Sequence, residues 1–169
     1  IDPVSYETIH ENNRKRVIRA LEYFHLTKTP ISVHNEAEHQ KVSPYNFAYF
    51  VLTDERSHLY ERIDKRVDLM MENGLLDEVK KLYDMGYRKD MVSMQGLGYK
   101  EILACLEGEL TLEEAVYRIK RDTRHFAKRQ LTWFRREREV IWVEKEKFSH
   151  DNEKILDFMK KELTERGIL

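Results

Sequence analysis

Cysteine is almost missing: Cys105 stands alone in a chain of 169 residues. One thiol closes no internal disulfide and offers no metal-ligand spacing, so a reducing, cytoplasmic setting is expected. Long apolar runs are missing too. The longest stretch without a formal charge, residues 42–53, is too short for a membrane span of about 20 apolar residues, and no membrane partner is expected. No secretory pattern opens the sequence. The phosphate-loop pattern G-x-x-x-x-G-K-[ST] occurs nowhere. The seven histidines are scattered. His34 and His39 are the closest pair, and neither a second pair nor a cysteine completes the four ligands of a structural zinc. Repeats and low-complexity tracts are absent.

What is present suits one domain, or one and a part of another. Hydrophobic residues at 41% provide a core, and charged residues at 36% are balanced to a net charge of −1, so the chain as a whole is not basic. The periodicity is mostly helical. A helix is expected over residues 12–25, with Val17, Leu21 and Phe24 on one face. Pro30 and Pro44 bracket a polar connection. The aromatic and β-branched run at 46–53 predicts a buried strand. Asp54 or Ser57 then caps a helix ending at Asn73–Gly74. Further helices are expected over Leu75–Met85, from Gln95 or Gly98 to Glu107–Gly108, from Thr111 to about Arg138, and from about Asp151 to Glu165. Thr111 and Glu114 form a capping-box pattern. A second strand is expected at residues 140–144. The two strands read as continuous apolar runs, which predicts cover on both faces. Either the chain's own helices wrap them, or the chain is part of something larger.

Charge is segregated along the expected 111–138 helix. Between residues 118 and 138 there are nine cations and two acids, Asp122 and Glu137. Helical geometry puts Val116, Ile119, Phe126, Ala127 and Phe134 on a core face, with Arg121, Arg124, Lys128 and Arg135 on a flank. A solvated face with paired charges needs carboxylates that this segment lacks, so a phosphate-bearing partner is favoured. Trp133 and Phe134 add little, since aromatics at helical spacing are usually core. On the 55–73 helix, Leu59, Ile63, Val67, Leu69 and Met70 define the apolar side, and Arg62 and Arg66 fall at its edge. Arginines there snorkel, pair with a carboxylate, or hold an anion such as diphosphate. Lys15, Arg16 and Arg19 form a third cluster. "QGLGYKE" at 95–101 places two glycines before a helix, which suits either a ligand approaching the backbone or a plain helix-starting turn.

Four segments together, "IDPVSYETIHENNRKRVIRALEYF", "LYERIDKRVDLMMENGLLDEV", "MQGLGYKEI" and "RHFAKRQLTWFRR", resemble the C-terminal part of bacterial tRNA dimethylallyltransferases. Order and spacing match over nearly the whole chain. The resemblance implies an α/β fold: a mostly helical chain whose two short strands belong to a P-loop-like parallel sheet. It implies residues 1–41 as the tail of a helical tRNA-binding insertion and residues 42–169 as part of the core. The family's Gly-rich diphosphate loop, its threonine and its general-base aspartate precede the matched region, so the chain resembles a fragment that does not catalyse alone.

The same resemblance implies transfer of a dimethylallyl group from dimethylallyl diphosphate to the exocyclic amine of the adenine 3′ of the anticodon, with magnesium assisting. Arg66 matches the arginine on the diphosphate, and Arg62 lies beside it. Lys15, Arg16, Val17, Ile18 and Arg19 match one segment that touches the tRNA anticodon stem-loop. Gln95, Gly96, Leu97, Gly98, Tyr99 and Lys100 match a second. Lys128, Arg129, Gln130, Leu131, Thr132, Trp133, Phe134 and Arg135 match a third. The complete enzyme is expected to be a monomer. Two other readings stay open: an adenylate isopentenyltransferase acting on free nucleotide, and a non-catalytic RNA-binding helical module.

Overall fold

A computed structural model describes all residues, 1–169, and divides them into two compact units, 1–46 and 47–169. In the first unit, α1 (Pro3–Thr8) starts on Pro3 with Asp2 as its cap, where proline's missing N–H costs nothing. It is followed by α2 (Arg14–Thr27) and α3 (Ile31–Gln40). The Asp2 carboxylate accepts from the backbone and hydroxyl of both Ser5 and Ser32, at 2.6–3.0 Å, tying α1 to α3. Tyr23 and His34 stack at 4.9 Å between α2 and α3.

α3 corrects the polar connection expected between the two prolines. Pro30 occupies the N-cap position with φ −57°, ahead of the helical turns whose hydrogen bonds its missing N–H would break, and Pro44 lies beyond the end. The two prolines therefore frame a helix. No apolar residue of this unit is buried. Val17 and Phe24 are half-buried and Leu21 is exposed.

The second unit begins with β1 (Tyr49–Thr53) and closes its sheet with β2 (Val140–Glu144). The strands are parallel, Val51 opposite Trp142. Parallel neighbours need a crossover, and here it contains four helices: α4 (Arg56–Glu72), α5 (Leu75–Asp84), α6 (Tyr99–Leu106) and α7 (Leu112–Phe134). Their inward residues Val67, Val79, Ile102, Leu103, Ala115 and Ile119, with Met94 from the 3-10 turn between α5 and α6, form the core. A last helix, α8 (Asn152–Glu165), is capped by Asp151 and buries Ile155.

Several local expectations change. Neither Asp54 nor Ser57 caps α4; Glu55 holds the N-cap position without a side-chain bond, and Asp54 is engaged elsewhere. β1 starts at Tyr49, so Phe47 lies outside it. α7 ends at Phe134 rather than near Arg138, and the chain turns at Glu139 with φ 59°. Phe126 is exposed, not core. The reason is length: 23 residues of helix span about 34 Å, beyond the reach of the shorter α5 and α6. The strands are not wrapped by the chain's own helices either. Each buries one residue, Val51 or Val143, and Leu52 is 53% exposed.

Candidate functional site

The cations of α7 divide into two groups. Asp64 and Asp68 sit four apart on α4, and Arg124 and Lys120 sit four apart on α7. The helices pair them in antiparallel order: Arg124 to Asp64 at 2.5 and 2.8 Å, and Lys120 to Asp68 at 2.6 Å. Arg121 bonds the adjacent Asp122 at 2.7 Å, and that bond holds the Asp122 carboxyl below the usual carboxylate range. Carboxylates for the first half of the stripe therefore exist, supplied largely by another helix. Reading α7 alone misses them, although the complementary four-residue spacings are written in the sequence.

The second half differs. Lys128, Arg129, Arg135 and Arg136 are exposed, and no carboxylate pairs with them. Arg129 leans over the Phe126 ring at 5.8 Å. Gln130, Thr132 and Trp133 are exposed, while Leu131 and Phe134 are half-buried. Phe134 anchors the segment edge-on against Tyr49 of β1 at 6.2 Å. Trp133, in the segment matched to tRNA contact, is 54% exposed and offers a stacking face.

Beside this segment an open cleft of about 410 Å³ lies at the carboxyl ends of both strands, lined by Thr53, Leu131 and Trp142, the cations Arg135 and Lys145, and the carboxylates Asp54, Glu55, Glu144 and Glu146. Open parallel sheets bind their ligands at this end. A narrow slot between Arg56, Tyr60, Lys128 and Arg135 continues from it between α4 and α7. Sequence reasoning singled out Arg135 but not Lys145, whose position depends on the strand pairing.

Arg62 and Arg66 do not line the apolar edge of α4: both are exposed, on one stripe with the exposed Leu69. Arg62 stands 4.0 Å from Asp54. Arg66 has no carboxylate partner in the chain, so the plain protein ion pair is not its explanation.

The glycine-rich turn resolves residue by residue. Gly98 has φ +103° and is buried, and its N–H donates to the Glu101 carboxylate at 2.9 Å. It is a helix-starting glycine. Gly96 is exposed, with a negative φ, and an added Cβ would meet Tyr99 at 3.6 Å, an ordinary contact. Nothing within this chain requires a glycine there. Gln95, Leu97 and Lys100 are exposed. Tyr99 donates to Glu78, and that bond, with burial, raises its phenol above the ordinary value. Lys100 pairs with the buried Glu101 at 3.2 Å. In the first unit Lys15, Arg16, Ile18 and Arg19 are exposed on α2, and Val17 is half-buried.

Magnesium takes oxygen ligands, commonly one or two carboxylates with substrate phosphates. The chain's cluster of metal-ligating atoms, Asp54, His58 and His150, includes two imidazoles. No helix is long and apolar enough to cross a membrane.

The chain is similar to curated proteins named tRNA dimethylallyltransferase. It is 60% identical to that of Lachnoclostridium phytofermentans over 99% of this chain and 53% of the relative. It is 54% identical to that of Acetivibrio thermocellus with the same shares. The chain thus spans about half the length of the curated relatives it matches. Among solved structures it resembles the full-length tRNA isopentenylpyrophosphate transferase of Bacillus halodurans, with TM-score 0.65, 44% identity, 98% of this chain and 50% of that one. It also resembles the tRNA delta(2)-isopentenylpyrophosphate transferase of Staphylococcus epidermidis, with TM-score 0.69, 37% identity, 97% of this chain and 53% of that one. The family model described as IPP transferase matches residues 1–137, and the chain belongs to that family.

Proposed function

We propose that this chain supplies the tRNA-gripping and diphosphate-neutralising part of a cytoplasmic, monomeric tRNA dimethylallyltransferase. Residues 1–41 belong to the helical insertion that holds the anticodon stem-loop, and residues 42–169 belong to the catalytic core. The observation carrying this reading is the division of α7: its first cations are paired inside the protein, while Lys128, Arg129, Arg135 and Arg136 stay exposed without carboxylates. An unneutralised cationic surface beside an exposed tryptophan suits a nucleic-acid backbone with an unstacked base.

In the reaction, the exocyclic amine of adenine attacks the allylic carbon of dimethylallyl diphosphate. The carbon–oxygen bond breaks, its electron pair leaves with the diphosphate, and the amine loses a proton to a base. The amine is a weak nucleophile because its lone pair is delocalised into the ring, so much of the work lies in neutralising the leaving group. Arg66, exposed and unpaired on α4, is placed in that role, with Arg62 beside it; a guanidinium fork matches diphosphate oxygens. Lys15–Arg19, Gln95–Lys100 and Lys128–Arg135 hold the stem-loop so that the base leaves its stack.

The test uses a protein of the relatives' full length that carries this chain. Anticodon stem-loop RNA should accept the dimethylallyl group and free AMP should not; transfer to AMP alone would make the protein an adenylate isopentenyltransferase. Arg66→Ala should lower turnover by about 10²–10³ with little change in stem-loop affinity. Loss of RNA binding with turnover intact at saturation would move Arg66 to RNA recognition.

A further inference from the structure

Asp54, His58 and His150 converge on one point at the end of the sheet. Asp54 directly follows β1, His58 lies one turn on in α4, and His150 precedes α8, after a short 3-10 turn that follows β2. The Asp54 side chain is 4% exposed. Its Oδ1 lies 2.8 Å from His150 Nε2 and 3.8 Å from His58 Nδ1, and the three ligand-type atoms all lie within 4.8 Å of one another. The two imidazoles stand 5.6 Å apart, inclined at 65°. Ser149 and His150 both adopt positive φ, 53° and 59°, a conformation non-glycine residues seldom take, and two in succession turn the chain so that His150 meets Asp54.

We infer that Asp54, His58 and His150 form a binding site for one divalent transition-metal ion of the zinc class. Zinc bonds to nitrogen and oxygen are about 2.0–2.2 Å, which in a tetrahedron separates ligand atoms by about 3.4 Å. The observed 2.8 and 3.8 Å bracket that edge and the third separation is within 4.8 Å, so rotation of the two solvent-reaching imidazoles closes the three atoms onto one ion. The donor set selects the metal: two imidazoles and one carboxylate suit zinc, cobalt, nickel or copper, not magnesium. Both imidazoles reach solvent, so a fourth position is open to water. Arg62, 4.0 Å from Asp54 Oδ2, is the positive group facing the site and swings aside into solvent, being 63% exposed. When bound, the ion ties the start of α4 to the segment before α8, joining the exits of the two strands. The inference does not rest on the transferase reading, although Asp54 also lines the cleft at the strand ends and Arg62 adjoins both.

The test is a metal titration of a tag-free protein of the relatives' full length that carries this chain, after chelator dialysis. Co²⁺ is followed by its visible absorption, and Zn²⁺ by calorimetry with millimolar Mg²⁺ present. One equivalent of each should bind, with the strong visible band of a low-coordinate cobalt site. His58→Ala and His150→Ala should each weaken binding by about tenfold or more, and His34→Ala should leave it unchanged. His58 is half exposed, so its removal should spare the fold, checked by circular dichroism. Absence of saturable Zn²⁺ binding would overturn the inference and leave a hydrogen-bonded cluster. So would binding that survives both substitutions, since it would belong to other histidines.

Discussion

At the scale of single residues, two glycines two positions apart behave differently for a definable reason. Gly98 is buried with φ +103°, and an added Cβ would meet only Leu75, in an ordinary contact at 3.9 Å. A side chain there is strained by the backbone, not by a clash. Gly98→Ala is expected to destabilise a protein of the relatives' length by about 1–3 kcal/mol, measured by urea unfolding. Gly96→Ala, at an allowed φ, should be neutral or stabilising by about 0.4–1 kcal/mol. Equal losses at both positions would refute this account of the turn. Asp2 provides a pH dependence. Burial pushes its carboxyl up, but the four bonds from Ser32 and Ser5 outweigh this and hold it well below the usual carboxylate range. With the folded value depressed, its stabilisation is fully present above the unfolded value of about 3.9 and is lost as the pH falls through the folded value. Amide-exchange protection at Ser5 and Ser32 should therefore hold at pH 5 and decline in strong acid, and Asp2→Ala should abolish it at both.

At the scale of the element, α7 serves two purposes along one length. Its first half packs Ala115 and Ile119 into the core and pairs Lys120 and Arg124 with α4. Its second half extends past the shorter helices and keeps its cations in solvent. Replacing Lys128 and Arg135 with alanine should weaken stem-loop binding and reduce the slope of log affinity against log salt by about 0.7–0.9 per lost phosphate contact. Arg124→Ala should leave that slope unchanged and lower the unfolding midpoint, since it strands the partly buried Asp64. An unaltered slope in the first variant would mean that the exposed stripe meets no phosphate. The motif "AKRQLTWFR" was legible as a cationic surface, but which cations remain available was not. Pairing with Asp64 and Asp68 depends on α4 lying antiparallel to α7, which no local pattern states.

At the scale of the whole molecule, the sheet has two strands and therefore two open edges. The backbone groups on those edges are a template for further strands, and helices cannot satisfy them because helical backbone is bonded internally. Beside them Leu52 and Phe47 are exposed, and in the first unit no apolar residue is buried. Residues 1–169 on their own are expected to self-associate or to bind hydrophobic dye. Size-exclusion chromatography with light scattering is the measurement; a sharp monomer at micromolar concentration with cooperative unfolding would show that the exposed edges are tolerated.

What the sequence determined by itself is whatever depends on near neighbours. The capping box at Thr111–Glu114, the glycine stops after α4, α5 and α6, the strand at 140–144 and the amphipathic α8 all follow from spacings within a few residues, where backbone geometry dictates which side chains meet. The family is legible for the same reason, since its motifs are contiguous words. Tertiary structure alone decided the register of β1 against β2, the exposure of Phe126, the helix between Pro30 and Pro44, and the meeting of Asp54 with His150 across 96 positions. Each of these depends on which surface lies opposite, and burial and electrostatic pairing act through space rather than along the chain.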